Sequence, residues 1–268
     1  MIIRLIFGPC YHVIQFSVSQ VAIITLNNPG KMNALTEEMG DALGGRLAEV
    51  RGEGSVRAAV ITGAGKAFSA GGDLDWLMAR HRDTPENNLV VMQEFYKKFL
   101  VMREMEVPVI AAINGPAIGA GLCLALGGAD IRVASEGAKL GVTFTRLGLH
   151  PGMAATHFLP QLVGPQVAAE LLLTGRLVDS TEALRLGLVA RVAEDAMTAA
   201  RDVAAMICKA GPVSVRTLTK TLRDRQNCGL EETFRVEASA QAICYPTSDL
   251  AEGVTALQEK RNPNFTGQ

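Results

Sequence analysis

Two segments of this chain set backbone N–H groups where they could hold negative charge. In FSAGGDL (residues 68–74) and NGPAIGAGLCLAL (residues 114–126), an apolar stretch ends in glycines and small residues and then enters a helix. The turns fall at Gly71–Gly72–Asp73 and at Gly119–Ala120–Gly121. Small residues let a ligand come close to the backbone. A helix start leaves N–H donors unpaired and carries partial positive charge. Either loop alone is an ordinary strand-to-helix turn. Two that converge would form an oxyanion hole, a pair of preorganised donors around a developing O⁻. Neither loop is a nucleotide cradle. GAGKAF lacks the Ser or Thr that a phosphate-binding loop needs after Lys66, and GPAIGAG departs from the dinucleotide fingerprint.

Elements of matching period must position these loops. HVIQFSVSQVAIITL reads as two strands with a tight turn near Ser19–Gln20. Thr36 caps a helix over the following TEEMGDALGGRLAEV, and VRAAVITG is a short apolar strand ending at Gly63. NNLVVMQEFYKKFLVMREM is an amphipathic helix. VPVIAAI, ADIRVAS and AKLGVTF read as further strands. From about Ala193 onward the pattern is helix after helix. Alternating short strands and helices imply an α/β core with ligand loops at strand ends. The domain reading is a 1–14 extension, a 15–192 core carrying the site, and a 193–268 helical region.

Composition narrows the function classes. The 268 residues carry 26 Lys and Arg against 27 Asp and Glu, so there is no electrostatic case for nucleic-acid binding. Five isolated cysteines, Cys10, Cys123, Cys208, Cys228 and Cys244, form no CxxC pair. A zinc site or disulfide framework is not expected, and a reducing, cytoplasmic setting is. The apolar opening MIIRLIFGP is too short to span a membrane and lacks a signal-peptide cleavage pattern.

Four linked motifs then carry a resemblance. ITLNNPGKMNALTEEM, AVITGAGKAFSAGGDL, IAAINGPAIGAGLCLALGGADIRVAS and KLGVTFTRLGLHPGMAATHFLPQLVG follow in the order and spacing of the enoyl-CoA hydratase/isomerase (crotonase) superfamily. The chain resembles that family over about residues 15–190. The resemblance implies a spiral of ββα units with a helical C-terminal trimerisation region, assembled as a homotrimer or a dimer of trimers. It implies an acyl-CoA or enoyl-CoA substrate, with coenzyme A as part of the substrate and no prosthetic group or metal. The thioester oxygen would meet the N–H groups of Gly72 and Ala120. The coenzyme A arm would lie along GKMNAL and FSAGGDL, near Lys31, Asn33, Ala34, Leu35, Ala70, Asp73 and Leu74. For Lys31 the alternatives are a phosphate partner and a solvated turn lysine.

The same alignment exposes departures. The family's two catalytic glutamates fall on Cys123 and Phe144, neither of them acidic. Cys123 follows Ala120 by three residues, on one helical face. It is either a thiolate favoured by the helix N-terminus or a small buried apolar residue, and the usual behaviour of cysteine favours the second. His150, in LGLHPG, is the best remaining acid or base by type, against the alternative of a locally hydrogen-bonded loop histidine. Asp75 and His81 read as surface residues, His157 and Asp130 as structural. Thr143 and Thr145 should point away from Phe144 if the segment is a strand. The expected function is thus an acyl-CoA enzyme that stabilises a thioester enolate and hydrates weakly. The alternatives are an isomerase, thioesterase or decarboxylase of the same fold, or a non-catalytic acyl-CoA binding protein.

Overall fold

The computed structural model describes residues 14–17, 20–51, 54–224 and 230–268. The expected 1–14 extension lies outside these residues except for Ile14, which is buried and opens the first strand.

A six-stranded sheet forms the frame, in the order β1 (Ile14–Ser17), β2 (Val21–Leu26), β3 (Ala58–Gly63), β4 (Val109–Ile113), β6 (Ile131–Ser135), β9 (Arg191–Ala193). β1 pairs antiparallel with β2, and every other neighbour is parallel. β3 and β4 are buried at every position, which is why AAVITG and VIAAI read as continuous apolar runs rather than as alternation. A small second sheet joins β5 (Ala117–Ile118), β7 (Lys139–Gly141) and β8 (Val178–Asp179).

Helices cover both faces. In α1 (Glu37–Val50), Thr36 accepts a hydrogen bond from the Met39 N–H, and Met39, Leu43, Leu47 and Val50 form the buried stripe. α2 (Leu74–His81) and α3 (Pro85–Leu100) follow, the latter opened by Thr84 and Pro85 and burying Phe95 and Phe99 one turn apart. α4 (Ala120–Gly128) is buried at all nine positions. A helix apolar on every side can only sit at the centre of the fold, and that is where α4 lies. α5 (Ala155–Val163), α6 (Pro165–Thr174) and α7 (Ser180–Arg185) complete this side.

The helical region begins with α8 (Ala196–Cys208), whose Ala196, Ala200, Val203 and Ala204 pack on Val60, Ile110 and Val133 of the sheet. α9 (Pro212–Asp224), α10 (Leu230–Cys244) and α11 (Ser248–Glu259) extend beyond it. Arg223 on α9 ties them to the core. Its side chain is 8% exposed, pairs with Asp130 at 2.6 Å, and donates to the carbonyls of Arg103, Met105 and Val107. Asp130, read from sequence as structural, also accepts from the Val109 N–H at 2.7 Å.

One predicted strand is shortened. β7 stops at Gly141, whose carbonyl accepts from the Gly119 N–H, and its partner β5 is only two residues long. Thr143 then leaves the extended region (φ −88°, ψ 11°), and Phe144–Leu147 form a 3-10 turn.

Replacing Asp130 with Ala strands a nearly buried guanidinium. Because the carboxylate is one quarter exposed, the expected loss is about 2 kcal/mol, below that of a fully buried pair. For a chain of this size that lowers Tm by about 5 °C, readable by circular dichroism melting. An unchanged Tm would mean that Arg223 does not anchor α9.

Candidate active site

Three backbone segments build the site. In the loop after β2, Met32 and Asn33 adopt left-handed φ values of 48° and 56°. Asn33 is fully buried, and its side chain holds the loop together. Its Oδ1 accepts from the Asn28 N–H (2.9 Å), and its Nδ2 donates to the carbonyls of Ala64 (2.9 Å) and Ala67 (2.8 Å). The 69–73 loop lies along this one. Ala70 N–H donates to the Met32 carbonyl, Leu35 N–H to Gly71, and Ser69 Oγ to Asn33. On its other side runs the third segment, where Ile118 N–H donates to the Ser69 carbonyl (2.9 Å) and Phe68 N–H to Pro116 (3.1 Å).

Two glycines make this approach possible. A Cβ on Gly71 (φ 99°) would meet the Ile118 carbonyl oxygen at 2.8 Å and the Ala120 nitrogen at 3.5 Å. Gly119 (φ 54°, ψ −123°) takes the conformation closed to L side chains, so that Ala120 can begin α4 with ordinary helical geometry. The N–H groups of Gly72 and Ala120 have no hydrogen-bond acceptor among the described residues. Both residues line one cavity of about 380 Å³. Two other cavities, of about 370 and 340 Å³, lie against α9–α11 and touch neither loop.

The rest of this cavity is mostly apolar, its polar side chains among the described residues being Tyr96, Thr143 and the exposed Arg146. Trp76, Phe95, Tyr96 and Phe144 give it an aromatic wall, with Trp76 stacked on Phe95 at 4.5 Å. Leu74, Leu147 and Leu149 line it and are exposed, as at a mouth. No carboxylate and no histidine is among the described residues that line it. Among the described residues, no three His, Cys, Asp or Glu side chains group as metal ligands.

The residues singled out from sequence separate here. Gly72, Ala120, Ala70, Leu74 and Phe144 line the cavity. Cys123 does not: it is fully buried behind the wall, and burial pushes its thiol up to about 12. A thiolate favoured by the helix start is thereby ruled out, because desolvation of the charged form outweighs the helix contribution. His150 is exposed and next in sequence to the lining residue Leu149, with Nδ1 2.8 Å from the Pro151 carbonyl oxygen. Asn33 and Leu35 are fully buried and Ala34 nearly so, so their side chains shape the loop instead of facing a coenzyme arm.

Lys31 is a half-exposed lysine held in an ion pair. Its Nζ lies 2.7 Å from Asp73 and 3.5 Å from Asp75. Asp73 also caps α2, accepting from the Trp76 N–H. The Lys31 ammonium and the Trp76 N–H hold the Asp73 carboxyl below its ordinary value. His81 and His157 are exposed. Thr143, expected to face away from Phe144, lines the cavity beside it because the backbone there is a turn, while Thr145 donates to the Leu172 carbonyl. Sequence reasoning missed Trp76, Phe95 and Tyr96. The signal was present: two adjacent aromatics on α3 cannot both face the core at helical spacing.

Residues 17–268 match the model of the family described as enoyl-CoA hydratase/isomerase. The chain belongs to the enoyl-CoA hydratase/isomerase family. It is 40% identical to the Mycobacterium tuberculosis protein named "Probable enoyl-CoA hydratase EchA14", over 93% of this chain and 99% of that one. It is 34% identical to the crotonyl-CoA hydratase of Syntrophomonas wolfei, over 92% and 94%. The crystal structure of enoyl-CoA hydratase from Bacillus anthracis superposes with a TM-score of 0.89 at 33% identity, covering 96% of this chain and all of that one. The crotonase fold and the hydratase/isomerase class of enzyme expected from the motifs hold.

The Lys31–Asp73 pair has a pH signature. A carboxylate whose folded pKa is depressed stabilises the fold above its ordinary value of 3.8 and loses that contribution as pH falls through the folded value. Asp73→Asn keeps the helix cap and removes the charge. In urea titrations, wild type should be the more stable at pH 7, and the gap should close below pH 3.8. A gap independent of pH would remove the ion pair from the account.

Proposed function

We propose that this chain binds an acyl-CoA or enoyl-CoA thioester in the 380 Å³ cavity and stabilises its enolate oxygen with the N–H groups of Gly72 and Ala120. The single observation that carries the reading is the pair of backbone donors without acceptors among the described residues, both facing one largely apolar cavity. A thioester enolate concentrates charge on oxygen, and fixed donors in a site poor in water lower its energy without reorganising. Coenzyme A enters as part of the substrate and no prosthetic group is needed. The names of the relatives, enoyl-CoA and crotonyl-CoA hydratase, support the thioester class.

The reaction is a separate matter. Adding water across a double bond needs a group to activate the water and one to deliver a proton. The resemblance sets the family's two glutamates at Cys123 and Phe144. One is a thiol sealed in the core and the other a phenyl ring in the wall, and no carboxylate replaces them there. Our reading is an oxyanion-stabilising enzyme in which glutamate-driven hydration is weak. The carboxylate-free wall also favours a second reading, decarboxylation, which forms the enolate by loss of CO2 without a base, or binding without turnover; isomerisation would need a proton carrier and thioester hydrolysis an activated water, with the same two donors on the enolate or tetrahedral oxygen. A homotrimer or dimer of trimers in the cytoplasm completes the proposal. It is supported by the exposed Leu218, Leu222, Phe234, Leu250 and Leu257 of α9–α11 and by the isolated cysteines.

Two measurements decide between these readings. Ala120 occupies the first helical position, where proline is tolerated; the substitution removes the N–H and sets the ring Cδ in its place. Ala120→Pro should keep its far-ultraviolet circular dichroism spectrum and bind the preformed enolate of acetoacetyl-CoA, read by its ultraviolet absorbance, at least about a hundredfold more weakly than wild type. Equal affinities would remove the oxyanion hole from the proposal. Phe144→Glu, which sets a carboxylate in the wall, should raise crotonyl-CoA hydration by about a hundredfold or more. Brisk hydration by the wild type, surviving Cys123→Ala and His150→Ala, would overturn the account of weak hydration.

A further inference from the structure

Of the described residues that line the cavity, Arg146 alone carries a formal charge, and its guanidinium has no hydrogen-bond or ion-pair partner among the described residues. The carboxylates of the adjoining α6–α7 region are taken, since Arg176 holds Glu170 at 2.6 Å and Glu182 at 2.9 Å. The Arg146 stem has a defined seat. A Cβ built on Gly175 (φ 59°) would fall 2.7 Å from its Cγ, so the stem lies on bare backbone at the end of α6. Thr145 pins the same turn by donating to the Leu172 carbonyl. Segments 32–35, 69–71, 117–119 and 140–141 lie side by side, joined by the bonds from Leu35 to Gly71, from Ile118 to Ser69 and from Gly119 to Gly141. Gly72 and Ala120 follow the two middle segments, and the Phe144–Leu147 turn follows the last. Arg146 therefore stands beyond the two donors, on the flank away from the 32–35 loop. Phe144, Leu147, Leu149 and Leu177 share the lining there.

We propose that Arg146 selects thioesters whose acyl group ends in a carboxylate, the guanidinium pairing with that carboxylate while the apolar side chains beside it hold the methylenes. The proposal rests on the reading of this cavity as a thioester site. An oxygen held by the Gly72 and Ala120 N–H groups fixes one point of the ligand, and an acyl chain leaving it toward this flank meets an apolar wall with one cation on its exposed rim. Methylenes match that wall, and a terminal anion matches the cation. A guanidinium offers a carboxylate two parallel N–H···O bonds, stronger and more directional than the attraction of a point charge. A plain chain leaves the cation to water and gains nothing from it. No acidic side chain among the described lining residues repels the carboxylate. The other anions a thioester ligand carries are the coenzyme phosphates, and these would draw on Arg146 equally whatever the acyl group.

The test is titration calorimetry of the full chain with two matched pairs, pentanoyl-CoA against glutaryl-CoA and hexanoyl-CoA against adipoyl-CoA. Wild type should bind at least one carboxylate-ended ester about tenfold more tightly than the plain ester of equal length. That margin should shrink as NaCl rises from about 50 to about 500 mM, since an ion pair on an exposed rim is screened. In Arg146→Gln the preference should vanish, and in Arg146→Lys, which keeps the charge and loses the fork, part of it should remain. Thermal melting checks that each variant is folded. Plain esters that bind wild type as tightly as carboxylate-ended ones overturn the proposal and leave the thioester reading standing. A preference that survives Arg146→Gln overturns it too. So does Arg146→Gln weakening plain and carboxylate-ended esters by the same factor, which assigns the arginine to a coenzyme phosphate. If none of the four esters binds wild type, the thioester reading itself falls and this proposal falls with it.

Discussion

The structure depends on a lateral backbone pairing. The 68–72 segment lies against 116–120 through the hydrogen bonds from Ile118 to Ser69 and from Phe68 to Pro116. Everything at the site is arranged around that seam. Gly71 lacks a side chain because the Ile118 carbonyl occupies the space, and Gly119 bends so that the chain can leave the seam directly into α4. The loop before α1 braces the seam from the far side, with Asn33 at its centre. Buried polar groups that are fully satisfied in this way fix one geometry, since each alternative leaves an amide unpaired.

The fold was legible in the sequence wherever one physical signal dominated. The apolar runs of β3 and β4, the Thr36 cap of α1 and the glycine-rich entries to α2 and α4 each depend on local chemistry. The misread elements depended on tertiary context. VTF has strand composition, yet its strand ends at Gly141 because β5 offers only two residues to pair with. That turn set Thr143 in the wall beside Phe144, against the alternation a strand would impose. The motif DI that follows α4 held its reading, since Asp130 does anchor Arg223 from a distant helix.

The site was legible in its main chain and poorly so in its side chains. The turns at Gly71–Gly72–Asp73 and Gly119–Ala120–Gly121 could be read from glycine spacing, and the resemblance singled out Gly72 and Ala120 within them. Lys31, Asn33 and His150 could not be placed, because each is defined by a partner: Asp73, the Ala64 and Ala67 carbonyls, and the Pro151 carbonyl. Sequence gives the type of an ionisable group but not its exposure. Cys123 illustrates the difference, sharing a helix with a cavity-lining residue and yet sealed from the cavity.

Ala120 adds a point about inheritance. A donor supplied by the main chain belongs to nineteen of the twenty amino acids, so almost any change of codon at positions 72 or 120 preserves it. A carboxylate donor or acceptor survives almost no change of codon. On the proposed reading, a lineage built on this seam could exchange the side chains around it and keep its grip on an oxygen anion. Holding a ligand is then the durable trait, and the reaction performed on it is the one free to drift.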